Sequence, residues 1–240
     1  MQIDVVMITK NSDRILRKCL KSIYDNIPVH NLIVVDAYSE DQTLDILQEF
    51  PDVKLFFDDG TRATARQKGI SEVSTSWFAF VDSDVILCNN WFGRAKKYLN
   101  SNVGAIWGQE VELVGNIKSP LFYKILLKVS KECFKIRGGL HDTLIRNSAV
   151  QDIDIPSNLV RYEDKYIIDY IAEKEYHILT PEKLFCLHLR PESDWNIKES
   201  MQLAVEEIKN GLIDSKAFSY VRYYPFWVIF WALQWMGKFE

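Results

Sequence analysis

Apolar residues arrive in short, β-branched runs, each followed by a stretch with helical spacing. Ile3 to Ile8 predicts a buried strand, and Ser12 or Asp13 can cap a helix whose Ile15, Leu16, Cys19, Leu20 and Ile23 share one face. Leu32 to Val35 predicts a second strand ending at Asp36, followed by a helix over 41–50 and a strand at Val53 to Phe57. A helix over 63–73 then leads into Trp77-Phe78-Ala79-Phe80-Val81, which ends at Asp82. Near-continuous apolar runs suit strands buried on both faces, and strand–helix alternation predicts an α/β fold with a mostly parallel sheet between helices. Ligands of such sheets collect at the carboxyl ends of the strands. Asp36, Asp59, Asp82 and Asp84 all fall at those ends.

The second half is less regular. Strands are predicted at 103–107 and 111–114, and an apolar-faced helix from Leu121 to Phe134. Arg137-Gly138-Gly139 is a flexible break before a strand at 143–146. A helix starting near Glu163 buries Ile167, Ile168 and Ile171, and short strands follow at 177–179 and 184–187. No repeat or Pro/Gly-rich linker divides the chain. The expectation is one domain over 1–215, with a half at 1–115 and a half at 116–215, plus an extension over 216–240.

That extension is aromatic. Pro225 suits the first turn of a helix, on which Trp227, Trp231 and Trp235 align at i, i+4 and i+8 beside Phe226, Phe230 and Leu233. The eleven residues 226–236 are nearly all apolar, fewer than the roughly 18 needed to span a bilayer. With Arg222 and Lys238 flanking it, the stretch 220–238 suits a membrane–water interface; packing on the domain or in a homodimer is the alternative.

Composition narrows the class. Apolar residues make up 48% and charged ones 26%, which describes a folded globular protein. A net charge of −4 without basic blocks argues against nucleic acid as partner. Cys19, Cys88, Cys133 and Cys186 are scattered, which fits a reducing compartment better than a disulfide framework. Met1-Gln2-Ile3-Asp4 enters a strand pattern at once and lacks the features of a signal peptide. A cytoplasmic protein is expected, or one peripheral on the cytoplasmic membrane face.

Asp82-Ser83-Asp84 carries the candidate chemistry. Two carboxylates at i, i+2 on a strand mouth repel each other and are costly to desolvate. A hard cation such as Mg²⁺ or Mn²⁺, which shares oxygen ligands with substrate phosphates, removes the conflict. Asp-x-Asp is also ordinary turn chemistry.

The surrounding motifs resemble family 2 glycosyltransferases. The resemblance rests on Val5-Val6-Met7-Ile8-Thr9-Lys10-Asn11, on Ile33-Val34-Val35-Asp36-Ala37-Tyr38-Ser39-Glu40-Asp41-Gln42-Thr43, on Ala65-Arg66-Gln67-Lys68-Gly69-Ile70, on Asp82-Ser83-Asp84 and on Arg161-Tyr162-Glu163-Asp164, in order over residues 3 to 190. It implies a GT-A fold and metal-dependent, inverting transfer of a hexosyl or N-acetylhexosaminyl group from a UDP- or GDP-linked sugar to a saccharide or lipid-linked acceptor. It also implies Mn²⁺ or Mg²⁺ as cofactor. Thr9, Lys10, Asp36, Arg66, Asp82 and Ser83 would bind the nucleotide sugar, with Asp36 reading the base. Asp84 would ligate the metal, joined by Asp82 and by the imidazole of His188. Asp164 would be the catalytic base, kept ionised at a helix N-terminus, and Glu163 would position it or the acceptor.

Each residue has a plainer reading. Thr9 and Asp36 serve as strand-end or turn groups, Arg66 and Glu163 as solvated helix positions, and His188 as a structural imidazole. His141, with Gly138 and Gly139, would face the acceptor or lie on a loop surface. Trp107 and Trp195 would stack on a sugar or simply pack. Ala37 and Tyr38 depart from the family pattern, which usually has a second acid and then Gly, so the base is left open. Two other functions remain in view. A nucleotidyltransferase would want a Gly-rich phosphate loop, which Thr9-Lys10-Asn11-Ser12 lacks, and a catalytically silent nucleotide-sugar-binding module would not need Asp82, Asp84 and Asp164 together.

Overall fold

The computed structural model describes residues 1–112, 139–159 and 162–189. The elements in chain order begin β1 (Ile3–Thr9), α1 (Asp13–Asn26), β2 (Val29–Asp36), α2 (Thr43–Gln48), β3 (Val53–Phe57), α3 (Arg62–Ser71) and β4 (Trp77–Val81). Next come β5 (Val85–Leu87), α4 (Trp91–Ala95), β6 (Val103–Trp107) and β7 (Gln109–Glu112). The series ends with β8 (Asp142–Arg146), α5 (Asn147–Val150), α6 (Glu163–Glu173), β9 (His177–Leu179) and β10 (Phe185–His188). The chain divides into two compact units, 1–111 with 137–188 and 112–136 with 189–240. All these elements lie in the first unit, apart from the end of β7. The expected helix at 121–134, Gly138, Trp195 and the aromatic stretch 220–238 fall outside the described residues.

Seven strands form the central sheet in the order β3-β2-β1-β4-β8-β6-β9. β1 pairs in parallel with β2 and β4, as does β2 with β3 and β6 with β9. β8 runs against both its neighbours, β4 and β6. A second sheet of three strands has the order β5-β10-β7. The mostly parallel α/β reading therefore holds, and the strands expected at 143–146 and 184–187 are present as β8 and β10. The antiparallel direction of β8 and the pairing of β5, β10 and β7 in a second sheet are what the apolar pattern does not announce.

Alternation within β1 fills two helix layers. Ile3, Val5 and Met7 join the core that holds Leu16, Cys19, Leu20 and Ile23 of α1. Val6 points the other way, under α3, and the helix comes close because Gly69 sits over it. A Cβ there would lie 2.4 Å from Val6 Cγ1. α3 starts at a capping box in which Thr61 and Thr64 each satisfy the other's backbone N–H.

The far edge of the sheet is tied by Asp4. It is fully buried, and it accepts from Ser74 N at 2.7 Å, Thr75 N at 3.0 Å, Ser74 Oγ at 3.0 Å and Asn31 Nδ2 at 2.8 Å, with His30 Nδ1 at 2.9 Å. Burial raises its pKa, yet these bonds win and hold it well below the usual carboxylate range. His30 and Asp4 thus order the loop that feeds β4. No described helix is long and apolar enough to cross a membrane.

Candidate active site

The carboxyl ends of β1, β2 and β4 lie side by side, with Thr9 opposite Asp36. β8 runs against them, so its first residues share that edge: Asp142 pairs with Val81, and Asp82 N donates to the His141 carbonyl at 3.1 Å. A hydroxyl chain joins the first strand to the acidic loop. Thr9 Oγ1 lies 2.9 Å from Ser12 Oγ, which lies 3.0 Å from Ser83 Oγ. Cys19 Sγ donates to the Asp82 carbonyl at 3.2 Å, and burial keeps that thiol protonated. Lys10 is exposed beside this edge.

Asp36 is at the expected strand end and is fully buried. Its oxygens accept from Ser39 N at 2.7 Å and Ser39 Oγ at 2.6 Å, so the carboxylate builds the turn that follows. Asn11 secures the same turn: its N–H donates to Ser39 Oγ and its Oδ1 accepts from Glu40 N.

Asp84 and His188, 104 positions apart, meet with Oδ2 and Nε2 at 2.8 Å. The pairing of β10 with β5 brings them together, with His188 opposite Val85. Asp84 is partly open and His188 almost buried. A carboxylate beside an imidazole suits Mn²⁺, since Mg²⁺ prefers oxygen alone.

Arg66 loses its plainer reading. It is not a solvated helix arginine: it is buried over the Phe80 ring, 4.9 Å from its centroid. Nη2 donates to Asp82 Oδ1 at 3.2 Å and Nε to Glu163 Oε1 at 3.4 Å. The reading of Glu163 as a solvated first-turn residue fails for the same reason, because that carboxylate is buried against Arg66. Burial pulls the Arg66 pKa down, but Asp82, Glu163 and Asp164 outweigh it and keep the guanidinium charged. Burial likewise raises Asp82, and Arg66 with the imidazoles of His141 and His188 brings it below its ordinary value.

Asp164 is the second residue of α6, whose first residue Glu163 follows Tyr162, where a left-handed φ of 69° turns the chain into the helix. Burial and the Glu163 charge push its pKa up to about 6, against the pull of Arg66. The helix terminus therefore does not hold this carboxyl strongly ionised, as its position alone suggested. Desolvation exceeds the dipole here.

His141 is buried rather than on a loop surface. Its Nδ1 sits 2.8 Å from Asp142 Oδ1 and 3.5 Å from Cys186 Sγ, and Asp142 Oδ2 accepts from Trp91 Nε1 at 2.9 Å. Donor atoms of His141, Asp142 and Cys186 lie within 4.8 Å of one another, so the trio has the composition of a cation site. Both Asp142 oxygens are engaged within the protein, by His141 and by Trp91, and the His141 carbonyl holds the Asp82 N–H. Gly108 leaves room for Asp142, since a Cβ there would fall 1.5 Å from Asp142 Oδ2. Trp107 packs in the core and donates to the Gly139 carbonyl. Ser12, Trp91, Asp142 and Cys186 escaped the sequence reading. Only the acid next to His141 gave any local signal.

A parallel-dominated sheet with acids, hydroxyls and an imidazole at one edge has the GT-A architecture. The family model described as glycosyl transferase family 2 matches residues 4–118, just under half of the chain. It is 32% identical over 94 residues, 38% of its length, to the SPbeta prophage-derived glycosyltransferase SunS of Bacillus subtilis, and the match spans 22% of that relative. The fold is similar to that of the mannosyltransferase PcManGT from Pyrobaculum calidifontis, solved in complex with GDP-Man and Mn²⁺. The TM-score is 0.66 at 19% identity, covering 89% of this chain and 65% of that one. It is also similar to residues 1–349 of S. aureus TarS in complex with UDP-GlcNAc, with a TM-score of 0.64 at 19% identity, covering 86% of this chain and 66% of that one.

Proposed function

We propose that the chain is a metal-dependent, inverting glycosyltransferase that moves a sugar from a nucleoside-diphosphate sugar to an acceptor hydroxyl. The observation that carries this reading is the meeting of Asp84 and His188 at 2.8 Å, on the edge that also holds Asp82 and Asp164's helix. Asp84 and His188 would hold Mn²⁺, with Mg²⁺ as the weaker fit. A cation bound there supplies positive charge opposite a diphosphate leaving group.

Asp164 acts as the base. Its carboxylate takes the acceptor O–H proton as that oxygen bonds to the anomeric carbon, while the bond to the diphosphate breaks and the electron pair leaves with it. A carboxyl titrating near pH 6 is mostly ionised at neutral pH and is a stronger base than an ordinary aspartate. Glu163 and Arg66 set the position of Asp164 relative to Asp82, and Thr9, Ser12 and Ser83 line the donor side. The interface-like residues at 220–238 support a lipid-linked or polysaccharide acceptor met at a membrane surface.

The test measures Mn²⁺-dependent transfer over a panel of UDP- and GDP-linked sugars, with wild type, Asp84→Asn and His188→Ala. Each substitution is expected to weaken apparent Mn²⁺ affinity by about ten- to hundred-fold. A wild-type Mn²⁺ response in both variants refutes the assignment.

A further inference from the structure

We propose that Tyr38 and Phe57 form the platform on which the donor's nucleobase stacks. This rests on the donor-site reading above and moves the base from the buried Asp36 to the rim beside it. Asp36, at the strand end, has no exposed surface and its two oxygens are engaged by Ser39. A flat ligand arriving at this edge therefore meets the rim of the turn.

The rim is aromatic. Tyr38 is 58% exposed and Phe57 38% exposed, and their rings stack at 5.3 Å between centroids with an interplanar angle of 29°. Phe57 backs one face of the Tyr38 ring and leaves the other towards solvent. Tyr38 also holds a left-handed φ of 54°, which a non-glycine residue adopts only at a cost. The backbone strain costs the fold free energy, and a ring this exposed gains only part of the burial a tyrosine can offer. Both are accounted for by a ligand that covers the ring.

Position supports the same occupant. Phe57 is the register partner of Asp36, Asp58 N donates to the Asp36 carbonyl, and Ala37 N donates to the Thr9 carbonyl. The stack thus stands on the same sheet edge as Thr9, with Asp36 between Phe57 and Thr9 in the register, and the hydroxyl chain through Ser12 and Ser83 connects Thr9 to the Asp82–Asp84 loop. A nucleoside diphosphate with its phosphates at that loop has its base as the free flat end. Every nucleobase offers a π face, so a ring platform binds it without demanding a particular hydrogen-bond pattern.

Calorimetric titration of the full chain with UDP and with GDP, in the presence of Mn²⁺, tests this. Tyr38→Phe is expected to bind within about two-fold of wild type. Tyr38→Gly is expected to bind about five- to hundred-fold more weakly, the range that loss of one base–aromatic stack implies. Glycine accepts φ 54° without strain, so its melting temperature should stay close to that of wild type. Tyr38→Asn, which also tolerates this backbone, should repeat the loss and guards against a folding defect particular to glycine. Wild-type affinity in Tyr38→Gly and Tyr38→Asn overturns the platform while leaving the donor site standing, and so does an equal loss in Tyr38→Phe. Failure of the wild type to bind either nucleotide overturns both.

Discussion

At the scale of single residues, Asp164, the proposed base, is a source of instability. Its folded pKa of about 6 lies above the ordinary 3.8, so ionising it costs the folded state more than the unfolded one. Stability therefore falls as pH rises from about 4 through 6 and stays reduced above that. Asp164→Asn is expected to lower transfer by about 10²- to 10⁴-fold. The same variant should be more stable than wild type at pH 8 by on the order of 2 kcal/mol, and no more stable at pH 4. Initial rates and thermal melts at the two pH values check both halves. A wild-type rate in Asp164→Asn removes the residue from catalysis. That Asp164 lies in an acidic first turn was legible in the sequence; its raised pKa was not, because burial and Glu163's charge are properties of the packed site.

At the scale of elements, α3 sets the positions of Arg66 and of the sheet face below it. Its capping box was not foreseen, although its span was placed within about two residues, the usual slack at helix ends. What brings it onto β1 is Gly69, with Val6 Cγ1 at 2.4 Å from the missing Cβ. Gly69→Ala is expected to push the helix outward and cost about 1–3 kcal/mol in denaturant unfolding, despite alanine's better helix propensity. A gain in stability instead would mean that the contact yields freely. The strand β10 was read at 184–187, but the three residues of β5 carry too little periodicity to announce a strand, and the pairing of the two spans about a hundred positions. Yet that pairing places His188 against Asp84.

At the scale of the molecule, Arg66 links the two ends of the proposed site. It bonds Asp82 at the end of β4 and Glu163 at the start of α6, 97 positions away from it in the chain. Arg66→Met would leave two carboxylates without their cation, at a cost of about 3–5 kcal/mol where a buried pair is broken. Removing that positive charge also raises the pKa of Asp164 further, so the acid limb of kcat/KM should move to higher pH than about 6. Arg66→Lys keeps the charge without the two-pronged geometry and should restore the pH limb more fully than the rate. An unchanged pH profile in Arg66→Met would show that the guanidinium does not act on Asp164.

The order of strands and helices in the first half, the acids at the strand ends and the family they announce followed from the chain alone. Periodicity and motif spacing are local properties, and the residues that carry them are neighbours. Tertiary structure decided the rest: that β8 runs against the sheet, that Arg66 is buried between two acids, that His141 leans on Asp142 and Trp91, and that Tyr38 stands stacked and exposed at the rim. Burial, ion pairing and pKa depend on which distant segments meet, and no local pattern in the chain records those meetings.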